Sequence, residues 1–452
     1  MPSLPPVPPP QEPALSPERE VACAMEEVAA GRFDQAIRRL TPLAADVAGR
    51  DRLLGEAHLG RKEAVPALRH LQDAVARASD DRTRLLLARA HLLSADPAGA
   101  VRLLEPLVAR GGEGAAAALA AAYRADARYA DAIAVAGADG DAELLYERAM
   151  SQAALGDAAA SLATWDRVIG LLPGRAAAWY GSHGPALEVA GWAEARRRLD
   201  QAVSCPGANG KYGALAAAYD RLSGRPVGGF HRRHAYLVDG ATALVPLLAS
   251  QWRLFGVAAA LLRHAVAGAL VPGMVLEFGV RRGTSLAVIA AAAGQPVHGF
   301  DSFAGLPEGW NGAPAGVLTT GHALPSVASD VTLHAGWFED TLPDFLAAHP
   351  GPVRFVNIDC DIYSSARTVL AALAPRIIPG SVLVFDEFVG NRNWRVDEYK
   401  AFEEFSAEQG VAVEIVAVNL ACKQVAMRVT GIRGHAGRSR KSAELSHFGC
   451  AE

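Results

Sequence analysis

The chain has 452 residues, 51% of them apolar and 20% charged, with a formal net charge of −4. That length exceeds one hydrophobic core and predicts at least two domains, and the charge balance argues against nucleic acid or an anionic membrane as a partner. Five cysteines (Cys23, Cys205, Cys360, Cys422, Cys450) show no C-x-x-C spacing, so neither a zinc site nor a disulfide frame is expected.

Residues 1–17 are proline-rich, and such composition predicts a disordered, extended tail. The tail has neither the basic nor the apolar region of a secretory leader. The most apolar stretch, "VAAALLRHAVAGALVPG", is interrupted by Arg263 and His264 and broken by Pro272-Gly273. No membrane span is expected there, and a cytoplasmic location follows as the default.

Residues 18–225 are rich in Ala, Leu and Arg and read as one short helix after another. Small residues recur at Gly31, Gly60, Ala95, Ala127, Gly156 and Gly191. Their spacing is roughly 30–35 residues, near the tetratricopeptide period, so an α-helical tetratricopeptide-like solenoid is predicted. The small residue is expected to let paired helices approach closely. A non-repeating helical bundle is the competing reading.

The texture changes over 226–430, where helical patterns alternate with short apolar runs, the signature of a mostly parallel α/β sheet. Strands are predicted at 274–278, 296–300, 330–334, 353–358 and 381–385, with a closing pair at 411–418 and 423–429. Helices are predicted near 283–293, 339–348, 364–375 and 396–409. The link between the second and third strands lacks a helix, and its Gly/Pro-rich stretch at 305–327 reads as a loop covering a substrate. Residues 431–452 form a polar stretch expected to be a loose, disordered tail.

Parallel α/β sheets bind ligands beyond the carboxyl ends of their strands. Acids stand at that end of four predicted strands: Glu277, Asp301, Asp359 with Asp361, and Asp386 with Glu387. In "FVNIDCDIYSSA" an extended backbone would point Asp359 and Asp361 to one face and turn Cys360 away into packing. The turn "EFGVRRG", with Gly279 and Gly283, is not G-x-G-x-x-G. A pyrophosphate at that helix start would be repelled by Glu277, whereas S-adenosyl-L-methionine has cationic groups and no phosphate. Asp301 is placed to accept hydrogen bonds from ribose hydroxyls.

The ordered blocks "VLEFGVRRGTSL", "HGFDSFAGLPEGW", "GWFEDTLPDFL", "FVNIDCDIYSS", "PGSVLVFDEF" and "WRVDEYKAFEEF" resemble the macrocin-type O-methyltransferase family over about 270–430. The resemblance implies a Rossmann-like class I methyltransferase domain following the helical repeats. It also implies S-adenosyl-L-methionine as cofactor and a sugar hydroxyl as acceptor. By it, Glu277, Gly279 and Gly283 form the first cofactor loop, Asp301, Ser302 and Phe303 meet the ribose and adenine, and Gly336, Trp337 and Phe338 lie near the adenine. It further implies Mg2+ held by Asp359, Asp386 and Glu387; a carboxylate beside the metal, Asp359 or Asp361, is then placed to take the hydroxyl proton as general base. All-oxygen ligands suit magnesium, and strands about 4.8 Å apart let their terminal acids converge. The best-known members end the fifth strand with Asp-Asp where this chain has Asp386-Glu387, which puts Glu387 as a ligand in question. Tyr363 and His322 are further candidates near the pocket.

The expected function is therefore a Mg-assisted O-methyltransferase acting on a sugar, glycosylated metabolite or glycan, with the repeats docking a protein partner or substrate. The alternative is an interaction protein whose methyltransferase-like domain is inactive or only senses cofactor.

Overall fold

The structure, a computed structural model, describes residues 15–78, 80–310 and 312–433. Most of both expected tails, 1–14 and 434–452, lies outside the described residues. Residues 16–17 already cap and begin a helix, and 431–432 finish a strand. Contacts divide the chain into two compact units, Met1–Asp126 and Ala127–Glu452.

The first unit is helical: α1 (Pro17–Ala29), α2 (Phe33–Leu40), α3 (Arg50–Gly60), α4 (Ala64–Arg77), α5 (Asp81–Leu93), α6 (Pro97–Ala109) and α7 (Ala115–Ala125). Aspartates cap α5 and α6, Asp80 accepting from Thr83 N and Asp96 from Gly99 N, each worth about 1 kcal/mol. The recurring small residues prove to have two jobs. Gly60 gives room for close packing, since a Cβ there would overlap the Phe33 ring. Gly31, at φ +72°, and Ala95, at φ +59°, instead supply the left-handed turn that ends one helix before the next begins.

The second unit opens with more helices: α8 (Tyr129–Ala136), α9 (Ala142–Ala154), α10 (Ala158–Leu171), α11 (Ala176–Ala190), α12 (Trp192–Ser204), α13 (Gly210–Leu222) and α14 (Ala235–Leu244). The sheet part follows as β1 (Leu248–Leu254), α15 (Ala258–Gly268), β2 (Met274–Phe278), α16 (Thr284–Ala293), β3 (Val297–Asp301), β4 (Val331–Ala335), α17 (Phe338–Ala348), β5 (Val353–Ile358), α18 (Tyr363–Leu373), β6 (Val382–Phe385), α19 (Glu398–Gln409), β7 (Val411–Asn419) and β8 (Gln424–Ile432). Helical texture ends near Leu222, close to the predicted boundary, but packing does not divide there. Leu199, Tyr219 and Leu222 share one core with Leu276, Phe278, Val356 and Phe385 of the sheet. Gly184 of α11 and Gly256 before α15 face each other so closely that a Cβ on either would overlap the other's carbonyl oxygen. Glu188 seals this contact by accepting from Gly256 N at 2.7 Å.

The sheet order is β1-β7-β8-β6-β5-β2-β3-β4. All neighbours run parallel except β8, which lies antiparallel between β6 and β7. β1, which the sequence reading did not assign, adds a parallel edge to β7. Strand order reverses between β2 and β5, and the loops leaving those two strands form a crevice at their carboxyl ends. Fully buried Phe278, Phe300, Phe355 and Phe385 hold this part of the sheet, each burial contributing roughly 1.5–3 kcal/mol.

Candidate functional site

A cavity of about 780 Å³ opens at the carboxyl ends of β2, β3, β5 and β6, a size suited to a small-molecule site. Its floor depends on one close approach. Gly279, at φ +96°, leaves β2 so near β5 that any Cβ would overlap the Asp359 carbonyl oxygen. Asp359 N donates to Phe278 O at 2.9 Å and Asp386 N to Ile358 O at 3.0 Å, so the loops after β2, β5 and β6 are tied side by side.

Asp301 organises the cofactor-side wall. Its Oδ2 accepts from Arg281 N at 2.7 Å and its Oδ1 from Phe303 N at 2.6 Å. Each carboxylate oxygen retains a second lone pair, and the residue still lines the cavity. Arg281, Phe303, Asp361 and Lys423 all have left-handed backbones, with φ of 48°, 56°, 63° and 68°. Such conformations cost side-chain-bearing residues stability and gather at functional sites.

The predicted residues divide clearly. Gly279, Asp301, Ser302, Gly336, Trp337, Phe338, Asp359, Asp361 and Asp386 line the cavity. Glu277, Gly283, Phe303 and Glu387 are not among its lining residues. Glu277 is fully buried behind the loop and accepts from Asn357 Nδ2 at 2.9 Å. Gly283, at φ +77°, starts α16. Trp337 is 37% exposed at the wall, while Phe338 packs edge-on against Phe278 at 5.3 Å. Tyr363 turns away, donating to Glu404 Oε2 at 2.6 Å, and exposed His322 is not among the lining residues either.

The backbone at the end of β5 corrects the expected alternation. The strand stops at Ile358, and Asp361 enters the left-handed region, yet both aspartates reach the cavity. Cys360 is buried as expected, but the rim of its residue still contributes to the cavity wall. What holds this turn is Glu398 of α19, which sequence reasoning passed over. Its Oε1 accepts from Cys360 N and Asp361 N, both at 3.2 Å, and its Oε2 from Glu387 N at 3.1 Å. One buried side chain thereby fastens two acid-bearing loops together. "VDEYKAF" marks it only as part of a helix; nothing in spacing links it to residues 360 and 387.

Burial pushes these acids up. Asp361 is raised to about 8, with Glu387 and Asp386 adding repulsion. Asp386 is raised to about 6 by burial, against a hydrogen bond from Gln424. Asp359 and Glu398 are raised well above the carboxylate range, again by burial first and neighbouring acids second. A site crowded with carboxyl groups that resist ionisation gains most from a cationic ligand.

The expected magnesium set does not assemble. Among the described residues no group of three or more His, Cys, Asp or Glu side chains is arranged to hold a metal ion. Glu387 Oε1 is paired with Lys423 Nζ, and its Oε2 accepts from Asn391 Nδ2 at 3.0 Å. Asp386 Oδ1 accepts from Gln424 Nε2. Asp359, Asp386 and Glu387 therefore do not fit the ion as arranged, because the longer Glu387 side chain is committed elsewhere. Gln424 is 2% exposed, and its Oε1 has no hydrogen-bond partner among the described residues, which leaves an acceptor atom in a residue that lines the cavity.

Residues 276–388 match the Methyltransf_24 family, described as a methyltransferase domain. Over 145 residues the chain is 30% identical to the 8-demethyl-8-(2,3-dimethoxy-alpha-L-rhamnosyl)-tetracenomycin-C 4'-O-methyltransferase of Streptomyces olivaceus, covering 26% of this chain and 54% of that protein. The chain thus spans about half the length of this curated relative. The solved calicheamicin methyltransferase CalS11 overlaps 48% of this chain and 91% of its own at 22% identity and a TM-score of 0.32. A thermophilic TPR protein of Thermus thermophilus, TTC0263, overlaps 45% of this chain and 98% of its own at 16% identity and a TM-score of 0.25. No helix among the described residues is long and apolar enough to cross a membrane. The matched segment runs from β2 to just past β6 and carries the acids that line the crevice, so it is this part of the chain that is similar to a methyltransferase domain.

Proposed function

We propose that this chain is an S-adenosyl-L-methionine-dependent O-methyltransferase acting on a hydroxyl of a sugar, a glycosylated metabolite or a glycan. One observation carries the reading: acids ending β3, β5 and β6 line a single cavity, and those of β5 and β6 outnumber the one lysine paired among them. The domain match and the rhamnosyl acceptor in the relative's name support it. When bound, the cofactor supplies a methyl group on a cationic sulfur, and a C–O bond forms as the C–S bond breaks.

The remaining work falls to the chain. Asp301 uses its free lone pairs on ribose hydroxyls while its other pairs hold the loop at Arg281 and Phe303. Gly336 and Trp337 form the adenine side of the wall. Glu277, Gly283 and Phe303 shape that wall from behind. A neighbouring hydroxyl of the acceptor donates to Gln424 Oε1, which holds the reacting hydroxyl in line for attack, where much of the rate arises. The reacting hydroxyl donates its one proton to a carboxylate oxygen of Asp359 or Asp361, whose raised affinity for protons makes the ionised form a strong base. The helices α8–α13, and the repeats before them, serve partner or substrate docking.

Calorimetry with S-adenosylhomocysteine tests the reading. Saturable binding is expected, weakened about tenfold or more by Asp301→Ala. No binding to the wild-type chain would overturn the proposal.

A further inference from the structure

The acids ending β5 and β6 already face a cation supplied by the chain. Lys423 lies in the β7–β8 turn at φ +68°. The turn is fixed on one side by Asn419 Oδ1, which accepts from Cys422 N at 3.0 Å, and on the other by Gln424, which pairs with Asn419 and donates to Asp386. From there Lys423 Nζ reaches Glu387 Oε1.

We infer that Lys423 is the resident cation of this acid cluster and that methyl transfer here proceeds without a bound divalent metal. The inference rests on the methyltransferase reading and deepens it. Magnesium requires free oxygen ligands in near-octahedral array. Glu387 does not line the cavity, so to join Asp359 and Asp386 around an ion its side chain would have to swing away from both Lys423 and Asn391. The ion would then stand beside an ammonium held by a pinned turn, adding repulsion to the lost hydrogen bonds. The Asp-Glu pair at the end of β6 fits this arrangement, since the extra methylene of Glu387 carries its carboxylate to Lys423. Glu387 is then a counter-ion and positioning residue, and Asp359 and Asp361 stay free for the acceptor.

Magnesium chloride titrated calorimetrically into the full chain holding S-adenosylhomocysteine tests this, in the wild type and in Lys423→Met. The wild type is expected to give no saturable heat at millimolar magnesium, and Lys423→Met, with Glu387 released, to bind magnesium at least tenfold more tightly. Stoichiometric binding by the wild type overturns the inference, and so does identical behaviour of the two proteins. Should Lys423→Met fail to fold, the wild-type titration decides alone. Failure of the methyltransferase reading shows separately, as absent S-adenosylhomocysteine binding before any metal is added.

Discussion

Asp51 in the helical unit and Asp361 at the end of β5 are similarly buried, 3% and 8% exposed, yet their surroundings are opposite. Asp51 is matched where it stands: Arg50 Nη1 lies 2.7 Å from Oδ1, Arg77 pairs with Oδ2, and His70 Nδ1 approaches Oδ1 at 3.1 Å. Burial lowers His70 to about 4, so its neutral ring donates a hydrogen bond without carrying charge. Asp361 instead has Glu387, Asp386 and Asp359 as neighbours, and the pull of Lys423 and Arg281 does not outweigh burial and those acids. A structural acid is compensated inside the fold, whereas an acid meant for a ligand is left short of compensation. The difference marks the site without reference to any relative.

Replacing the under-compensated acids breaks the comparison most sharply. Asp359→Asn and Asp361→Asn are each expected to keep S-adenosylhomocysteine affinity within a few-fold in calorimetry. In assays with labelled cofactor, loss of the base should slow methyl transfer by about 10²–10⁴, and the larger loss identifies the proton acceptor. If neither variant slows transfer, the acids are not the base. Asp51→Ala should do the reverse. Two arginines lose their partner, at a cost of about 2 kcal/mol once the exposure of Arg77 is discounted, read by urea unfolding, with cofactor binding unchanged. A loss confined to cofactor binding would contradict a structural role for Asp51.

The same contrast explains what could be read in the sequence. Short apolar runs placed β2, β3 and β5 within a residue, because buried strands with acids at their ends leave a local signal. β1 escaped because "LASQWRL" is an edge strand with a mixed burial pattern that leaves no continuous apolar run. The insertion of β8 between β6 and β7 is a matter of pairing between distant segments, which periodicity does not encode. Asp301, Asp359 and Asp386 were legible as strand-terminal acids. Glu398, Lys423 and Gln424 were not, since they reach the site from a helix and a hairpin, and they look like ordinary surface residues until the fold assembles. Helical texture likewise hid that α12 and α13 share a core with the sheet.

Glu277 sharpens the comparison at its smallest effect, because it is a buried acid with neither a cation nor a place in the cavity wall. Burial raises it to about 8, against hydrogen bonds from Ser285 and Asn357 that pull it down. The folded chain therefore keeps a proton on Glu277 that the unfolded chain releases near the ordinary value of 4.5. Between those values the folded state binds more protons than the unfolded state, so this residue's contribution to stability declines as pH rises from about 4.5 towards 8 and levels off above. Asn357 Oδ1, beside it, finds no donor among the described residues, and a protonated carboxyl or an amide at 277 brings one into the same buried space. Glu277→Gln, which is neutral at every pH, should melt near the wild type at about pH 5 and a few degrees above it at about pH 9, as followed by circular dichroism. A constant offset between the two proteins across that range would mean that Glu277 is ionised in the folded chain throughout, and the site would then hold an unmatched buried charge that no contact of Glu277 explains.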